Sequence, residues 1–152
     1  MSVTYIHYGA DKFEKEKFKP IKNREYFAKP YGGLWASRVN DPLGWHQWSI
    51  DNEFHEESLN HSFIFTLKPT ANIYSIEKPK DIYKLPRWKE SDWLTPTFYP
   101  DFEECVRRGI DAIEIVDIYG VDSEGEDSVY MTLYGWDVNS ILILNPDIVE
   151  VA

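Results

Sequence analysis

The sequence predicts an α+β domain built on a mixed, largely antiparallel β-sheet with helices packed on it. Short apolar, strand-like segments alternate with Pro-bearing irregular ones along the chain, and few stretches have helical periodicity. The length of 152 residues fits one hydrophobic core, so residues 1–152 are expected to form a single domain. Apolar residues make up 43% of the chain, a normal globular share that is sufficient for such a core.

The strands are predicted in apolar runs that are bounded by turn signals. A strand at 3–8 opens the chain, and a turn with two glycines precedes the next one. A strand pair is expected around the turn at Lys68-Pro69-Thr70. In chain order the predicted strands are 3–8, 34–37, 62–67, 72–76, 112–116, 129–134, 141–144 and 148–151.

Helices are predicted at 45–60, 80–85 and 101–108. The third has the clearest signals, because acids occupy its first turn, arginines its last, and Gly109 follows it. The first has an imperfect apolar stripe that includes Trp45 and Trp48. Three further segments are expected to be irregular or mixed: 12–24 is a loop with at most a short helix, 87–97 a helix or loop, and 122–127 an acidic hairpin tip.

The charge is strongly acidic, since 16 Lys and Arg face 26 Asp and Glu for a formal net charge of −10. Such a surface repels phosphate backbones, so direct DNA binding is disfavoured. Solubility explains the charge first, and docking onto a basic partner is the alternative. The single cysteine, Cys105, excludes an intrachain disulfide and indicates a reducing compartment. No signal-peptide pattern or membrane-length apolar run is present, so we expect a protein of the cytoplasm, or of a host cytoplasm, without membrane association.

His7 is the first candidate functional residue. Alternation along the first strand puts Tyr5, His7 and Gly9 on one face, and a glycine there allows a ligand to approach the backbone. The structural alternative is a histidine that is hydrogen-bonded at a strand end. Cys105 is not expected to act as a nucleophile, because the neighbouring acids raise its pKa. No HExxH motif or thiolate pair occurs, so no metal site is expected.

Trp35 and Ser37 form the second candidate, after Gly32 and Gly33. The two glycines allow a sharp turn and the close approach of another group, and the indole and hydroxyl then point the same way. An aromatic platform beside a hydroxyl suits a flat heterocycle. A glycine turn with a core tryptophan is the structural alternative, and core packing is also favoured for Trp45 and Trp48.

Asp137 is the third candidate, in the polar stretch before the apolar strand 141–144. Polar residues at the mouth of a buried strand often face a site, and Asp137 is the acid best placed there. The alternative is a turn in which Asp137 or Asn139 caps its own backbone.

Together these segments resemble the ADP-ribosyltransferase superfamily, in its His-Tyr-acid, PARP-like branch. The resemblance is carried by IHYG, by GGLWAS, by WDVNSILILNPDIVEV and by the middle segment FIFTLKPTANIYSIEKPKDIYKL. It implies a split β-sheet of the ADP-ribosyltransferase type. It also implies an enzyme that transfers ADP-ribose from NAD to a protein or nucleic-acid acceptor and releases nicotinamide. Small intracellular members are often toxins or phage-encoded inhibitors of host defence, a context that enters by analogy.

The resemblance also assigns roles to residues. His7 would hydrogen-bond the adenosine ribose of NAD, Trp35 would stack against nicotinamide, and Ser37 or the Gly33 backbone would hold the carboxamide. Asp137 would stabilise the oxocarbenium-like charge that develops as the glycosidic bond breaks. The residues expected to line the NAD site are Tyr8, Gly9, Gly33, Leu34, Ser37 and Trp48.

The sequence departs from the family pattern at two positions. Trp35 stands where tyrosine is usual, and Ser140 stands where the acid aligned on the Asn-Pro stop would fall. Either Asp137 supplies the acid, with Glu124 and Glu126 as outside candidates, or the site only binds a nucleotide. The alternative function is therefore a non-catalytic acidic module that binds a nucleotide or a basic protein partner. An NAD glycohydrolase, in which water replaces the acceptor, is a third option.

Overall fold

The computed structural model of the protein describes residues 3–23, 30–39, 59–77, 79–86, 100–116 and 140–151. Within these ranges the chain is mostly β-structure with few helices. The strands are β1 Tyr5–Tyr8, β2 Leu34–Arg38, β3 Ser62–Leu67, β4 Ile73–Ile76, β5 Ala112–Ile115, β6 Ser140–Ile143 and β7 Val149–Val151. The helices are α1 Phe102–Arg107 and the 3-10 helices Lys15–Lys17, Pro79–Lys84 and Pro146–Ile148.

All seven strands belong to one sheet, in the order β4-β5-β6-β2-β1-β3-β7. β4 and β5 are parallel, and every other neighbouring pair is antiparallel. The prediction of a mixed, largely antiparallel sheet is therefore confirmed. The strand at 62–67 has the predicted bounds, and the other described strands differ from their predictions by one or two residues at an end.

The predicted pairing of the strands at 62–67 and 72–76 is wrong. β3 pairs with β1 and β7, whereas β4 pairs in parallel with β5 at the other end of the sheet. The turn between them is present, since Ala71 N–H donates to the Lys68 carbonyl. A parallel neighbour requires a crossover connection, and α1 lies in the stretch of chain that joins β4 to β5. Local turn signals do not reveal this choice, because the pairing partner lies about forty residues downstream.

The sheet is bent, and the length of one connection requires the bend. β3 and β4 are five strand positions apart, about 24 Å in a flat sheet. The five residues 68–72 join them, and six Cα–Cα steps span at most roughly 22 Å. We place the bend between β1 and β2, because only two residue pairs, Tyr5–Arg38 and Ile6–Ser37, join these strands.

Two hydrophobic clusters lie on the two faces of the strands β4, β5, β6 and β2. The inner cluster fills the bend, so side chains of β1 and β3 face those of β5 and β6. The outer cluster is closed by α1, the 3-10 helix Pro79–Lys84 and Ile21. The buried members of the inner cluster are Tyr5, Ala36, Phe63, Phe65, Ala112, Ile141, Ile143 and Ile148. Those of the outer cluster are Ile21, Ile76, Ile82, Leu85, Phe102, Cys105, Ile113, Ile115, Leu142 and Leu144.

Helix α1 is held at its start by a second segment of chain. Asp101 is the N-cap and accepts from Glu104 N–H, as a capping aspartate does. Buried Asn23 donates to Asp101 at 2.8 Å and accepts from Phe102 N–H at 2.8 Å. The helix ends as predicted before Gly109, whose φ of 82° is a left-handed conformation that favours glycine.

Several other predicted elements have defined outcomes. The loop at 12–24 contains a short 3-10 helix, and the predicted helix at 80–85 is the 3-10 helix Pro79–Lys84. Nearly all of the predicted helix 45–60, the segments 87–97 and 122–127, and the strand 129–134 lie outside the described residues. No helix in the described part of the chain is long and apolar enough to cross a membrane.

Candidate functional site

The strands β1 and β2 separate beyond the pair Ile6–Ser37, although both strands continue. We call this opening the fork, with His7 and Tyr8 on one side and Trp35 and Ala36 on the other. Where the hydrogen-bonded ladder stops although both strands continue, backbone N–H and C=O groups need other hydrogen-bond partners. The fork is therefore a place where side chains, and not the backbone ladder, set the local chemistry.

His7 inserts its imidazole into the fork. Its Nδ1 lies 2.6 Å from the backbone carbonyl oxygen of Trp35. A carbonyl only accepts, so Nδ1 carries the hydrogen and donates. In the neutral ring Nε2 is then an acceptor. The strand geometry thus fixes both the orientation of the ring and its tautomer.

Burial keeps the His7 ring neutral. Desolvation lowers the pKa of His7 from its ordinary value, and the hydrogen bond to the Trp35 carbonyl opposes this shift with a smaller effect. The ring of Phe63 lies 5.2 Å away, centroid to centroid, and supplies part of the apolar surroundings. A neutral ring with Nδ1 occupied presents Nε2 to a hydroxyl or N–H donor.

Gly9 lies next to this nitrogen and leaves space beside it. The φ of Gly9 is 114°, a conformation that other residues rarely adopt. Among the described residues, a Cβ atom built at Gly9 would meet one neighbour within 4 Å, namely His7 Nε2 at 3.9 Å. Gly9 itself is exposed, and its N–H donates to the His61 carbonyl at 2.7 Å. A ligand can therefore approach Nε2 on the side of Gly9.

The indole of Trp35 points away from the imidazole. Alternation from the pair Ile6–Ser37 puts Tyr8, Trp35 and Ser37 on the outer face and His7 on the inner face. The contacts agree, because Trp35 packs against the outer cluster whereas His7 packs against Phe63 of the inner one. Ser37 is 3% exposed, so its hydroxyl lies within the protein. The structure therefore joins His7 to the backbone of Trp35, and not to its ring.

The two glycines before β2 are required because other segments of the chain pack closely against them. A Cβ at Gly32 would lie 2.3 Å from the Pro20 carbonyl oxygen, and one at Gly33 would lie 2.6 Å from a methyl carbon of Leu142. Both residues have a positive φ near 75°. The Gly33 N–H donates to the Lys19 carbonyl at 2.9 Å. The close approach expected at this turn is thus made by the segment 19–21.

The remaining predicted site residues divide into two groups. Leu34 packs against the inner cluster, and Ser140, which stands where the acid was aligned, is the buried first residue of β6. Four other predicted residues lie outside the described ranges: the candidate acids Asp137, Glu124 and Glu126, and the NAD-site residue Trp48. Their roles stay predictions.

A buried polar network on the His7 face was not anticipated from the sequence. Glu114, in the middle of β5, is 4% exposed and accepts two hydrogen bonds from Arg38, at 2.9 and 3.1 Å. It also accepts from the Tyr5 hydroxyl at 3.1 Å. β1 and β5 are three positions apart in the sheet, so this contact depends on the bend. The available signal is a charged residue inside the apolar run AIEIV, since a buried carboxylate needs a partner.

A cleft of about 650 Å³ lies elsewhere on the molecule, between the 3-10 helix Lys15–Lys17, α1 and the end of β6. Its floor is apolar, with Phe18, Ile21 and Leu144, and its rim carries Lys15 and Arg107. None of the predicted site residues that the structure describes lines it. The cleft therefore adds nothing to the interpretation of the fork, where the perturbed histidine lies.

The buried Cys105 thiol is not poised for nucleophilic chemistry. Burial, more than the nearby Asp101, raises the pKa of the Cys105 thiol to about 12, so it stays protonated. Among the residues that the structure describes, no group of three His, Cys, Asp or Glu side chains is arranged to hold a metal ion.

Comparison of the chain with protein families, with curated proteins and with solved structures gives no match.

Proposed function

We propose that the protein is an ADP-ribosyltransferase that binds NAD at the fork between β1 and β2. The observation that carries the proposal is the geometry of His7. Its Nδ1 is held by the Trp35 carbonyl at 2.6 Å, and its Nε2 is an acceptor with space beside Gly9. A ribose hydroxyl is a donor of the kind that this nitrogen accepts.

The bent sheet supports the proposal in a second way. A nucleotide is larger than a single side chain and requires a place where the layers of a domain separate. The fork is such a place, because two strands of one sheet part there and the perturbed His7 stands between them. A titratable group whose pKa is shifted by burial, beside an opening, is a marker of a functional site.

The chemical step requires residues on the outer face and beyond the described ranges. NAD supplies the reacting glycosidic bond, and a carboxylate near the ribose favours its cleavage by stabilising positive charge. Asp137 is the acid that we propose for this role, and Trp35 is proposed to stack against the nicotinamide, whereas the buried Ser37 hydroxyl is not accessible to it. The acceptor is proposed to be a protein or a nucleic acid.

The proposal is tested by measuring NAD binding and nicotinamide release with the purified protein and a host lysate. In His7→Asn the side-chain amide can still donate to the Trp35 carbonyl, but nothing replaces Nε2. We expect this variant to fold normally and to lose at least about tenfold in NAD affinity, the effect of one hydrogen bond in a buried site. His61→Asn is the matched control, because His61 is an exposed histidine that pairs with Asp11.

Asp137→Asn separates catalysis from binding. If the proposal is correct, this variant binds NAD but releases no nicotinamide. The proposal fails if the wild-type protein neither binds NAD nor labels any lysate component. Binding without turnover in the wild type would instead favour a non-catalytic nucleotide-binding module, in agreement with a serine, Ser140, at the start of β6.

A further inference from the structure

The network of Tyr5, Arg38 and Glu114 is more elaborate than stability requires. Glu114 is 4% exposed in the centre of β5, and an apolar residue of similar volume at such a position is often neutral or stabilising. The carboxylate accepts three hydrogen bonds, two from Arg38 and one from Tyr5. Its geometric effect is to fix the plane of one guanidinium group at the surface of the inner face.

Arg38 keeps part of its donor capacity for another group. A guanidinium has five N–H donors, and the bonds to Glu114 use one on Nε and one on Nη2. The Arg38 side chain is 41% exposed, whereas that of Glu114 is 5% exposed. The inner edge of the guanidinium is thus bound to the carboxylate, and the outer edge remains accessible.

The position of Arg38 relative to the fork is set by the strand register. Arg38 lies directly opposite Tyr5, which is two residues before His7 on the same face of β1. Diagonal neighbours across such a ladder are about 7–8 Å apart. The two side chains therefore project from neighbouring positions on the same face, where one ligand can contact both.

We propose that Arg38, presented by Glu114, binds the phosphate groups of the nucleotide whose ribose hydroxyl reaches His7. This assignment rests on the proposed function and deepens it. Arginine held in a fixed plane is suited to phosphate oxygens, which accept two parallel N–H bonds. Because Glu114 offsets the charge of Arg38, the attraction for an anion comes from the outward N–H groups of a guanidinium held in a fixed plane.

The test compares three probes that differ in phosphate: ADP, inorganic pyrophosphate and adenosine. In Arg38→Lys the charge beside Glu114 is retained but the forked donor geometry is lost. We expect ADP and pyrophosphate to bind at least about tenfold more weakly, and adenosine to bind unchanged. Raising the salt concentration should weaken ADP binding in both proteins, because the positive charge is present in both.

Two controls separate binding from folding. Ile82→Val removes one buried methyl group from the outer cluster, on the face of the sheet opposite Arg38, so stability should fall while the affinity for ADP remains. Arg107→Lys changes an exposed arginine on α1 that pairs with Glu104, and no probe should be affected. Equal weakening of ADP and adenosine in Arg38→Lys, or no weakening of ADP, would overturn the assignment. Absence of ADP and pyrophosphate binding in the wild type would overturn it too.

The outcome is distinguishable from that of the NAD proposal. Arg38-dependent binding of ADP without any consumption of NAD supports the phosphate site and removes the transferase. If NAD is consumed in a way that depends on His7 but not on Arg38, the transferase is supported and the phosphate site at Arg38 is rejected.

Discussion

The outer and inner clusters are built on the two faces of the same four strands, yet they differ in chemistry. The outer cluster consists of apolar side chains and the Cys105 thiol, closed by α1. The inner cluster lies against a buried carboxylate, Glu114, and against the imidazole of His7. Apolar burial stabilises a fold directly, whereas buried ionic and polar groups contribute little net stability. The difference indicates that the outer face contributes more to the stability of the domain, whereas the inner face holds its buried polar groups.

The largest effect is expected from deleting volume in the outer cluster. Leu142→Ala removes a fully buried side chain that packs on both β2 and β5, and should cost about 2–5 kcal/mol of unfolding free energy. Val106→Ala on α1 is the control, since Val106 is 43% exposed and its loss should stay within about 0.5 kcal/mol. Denaturant melts measure both. Equal losses in the two variants would contradict the assigned core.

Substitution of Gly32 tests whether the turn before β2 requires glycine at this position. Gly32→Ala combines a left-handed backbone with a contact to the Pro20 carbonyl, and should cost more than about 2 kcal/mol. Gly109 has a similar φ, and no described residue lies within 4 Å of a Cβ built there, so Gly109→Ala should cost about 1–2 kcal/mol. Thermal melts compare the two. A larger loss at Gly109 would refute the proposed steric difference.

The inner polar network gives a smaller, coupled effect. Tyr5→Phe removes the hydroxyl that donates to Glu114 and should cost about 1.5–3 kcal/mol, the usual range for a hydrogen bond to a charged group. The same substitution in a Glu114→Gln background should cost less, because the acceptor has lost its charge. A double-mutant cycle measures this coupling, and strict additivity would show that the contact contributes nothing.

The smallest effect is the pH dependence that His7 contributes. Burial lowers the pKa of His7 in the folded state, so the unfolded state binds its proton first on acidification. The contribution is complete above the unfolded pKa, near 6.5, and is lost as the pH falls through the folded pKa. The wild type should therefore lose more stability than His7→Asn between pH 7.5 and 5. Parallel pH profiles for the two proteins would exclude this histidine as the cause.

The sequence predicted the elements of the fold better than their arrangement. Local signals located β3, the Asp101 and Gly109 ends of α1 and the apolar run of β6, because strands and caps depend on neighbouring residues. The parallel β4–β5 pairing and the bend depend on contacts between residues far apart in the chain. No local pattern specifies them.

The site was predicted in part for the same reason. His7 and Trp35 were both singled out, and they meet in the structure through the Nδ1 atom of one and the carbonyl of the other. Their rings lie on opposite faces, which follows from the register and not from either strand alone. Arg38 and Glu114 were missed, since their partnership joins β2 to β5 across an intervening strand.

The account depends most on the protonation state and reach of His7. Long-range proton–nitrogen NMR correlations of the labelled protein report which imidazole nitrogen carries the hydrogen, before and after addition of ADP-ribose. We predict that Nδ1 is protonated throughout, and that the Nε2 resonance alone shifts as ADP-ribose saturates the protein. A hydrogen on Nε2 in the free protein, or an Nε2 resonance unchanged by saturating ADP-ribose, would contradict the account.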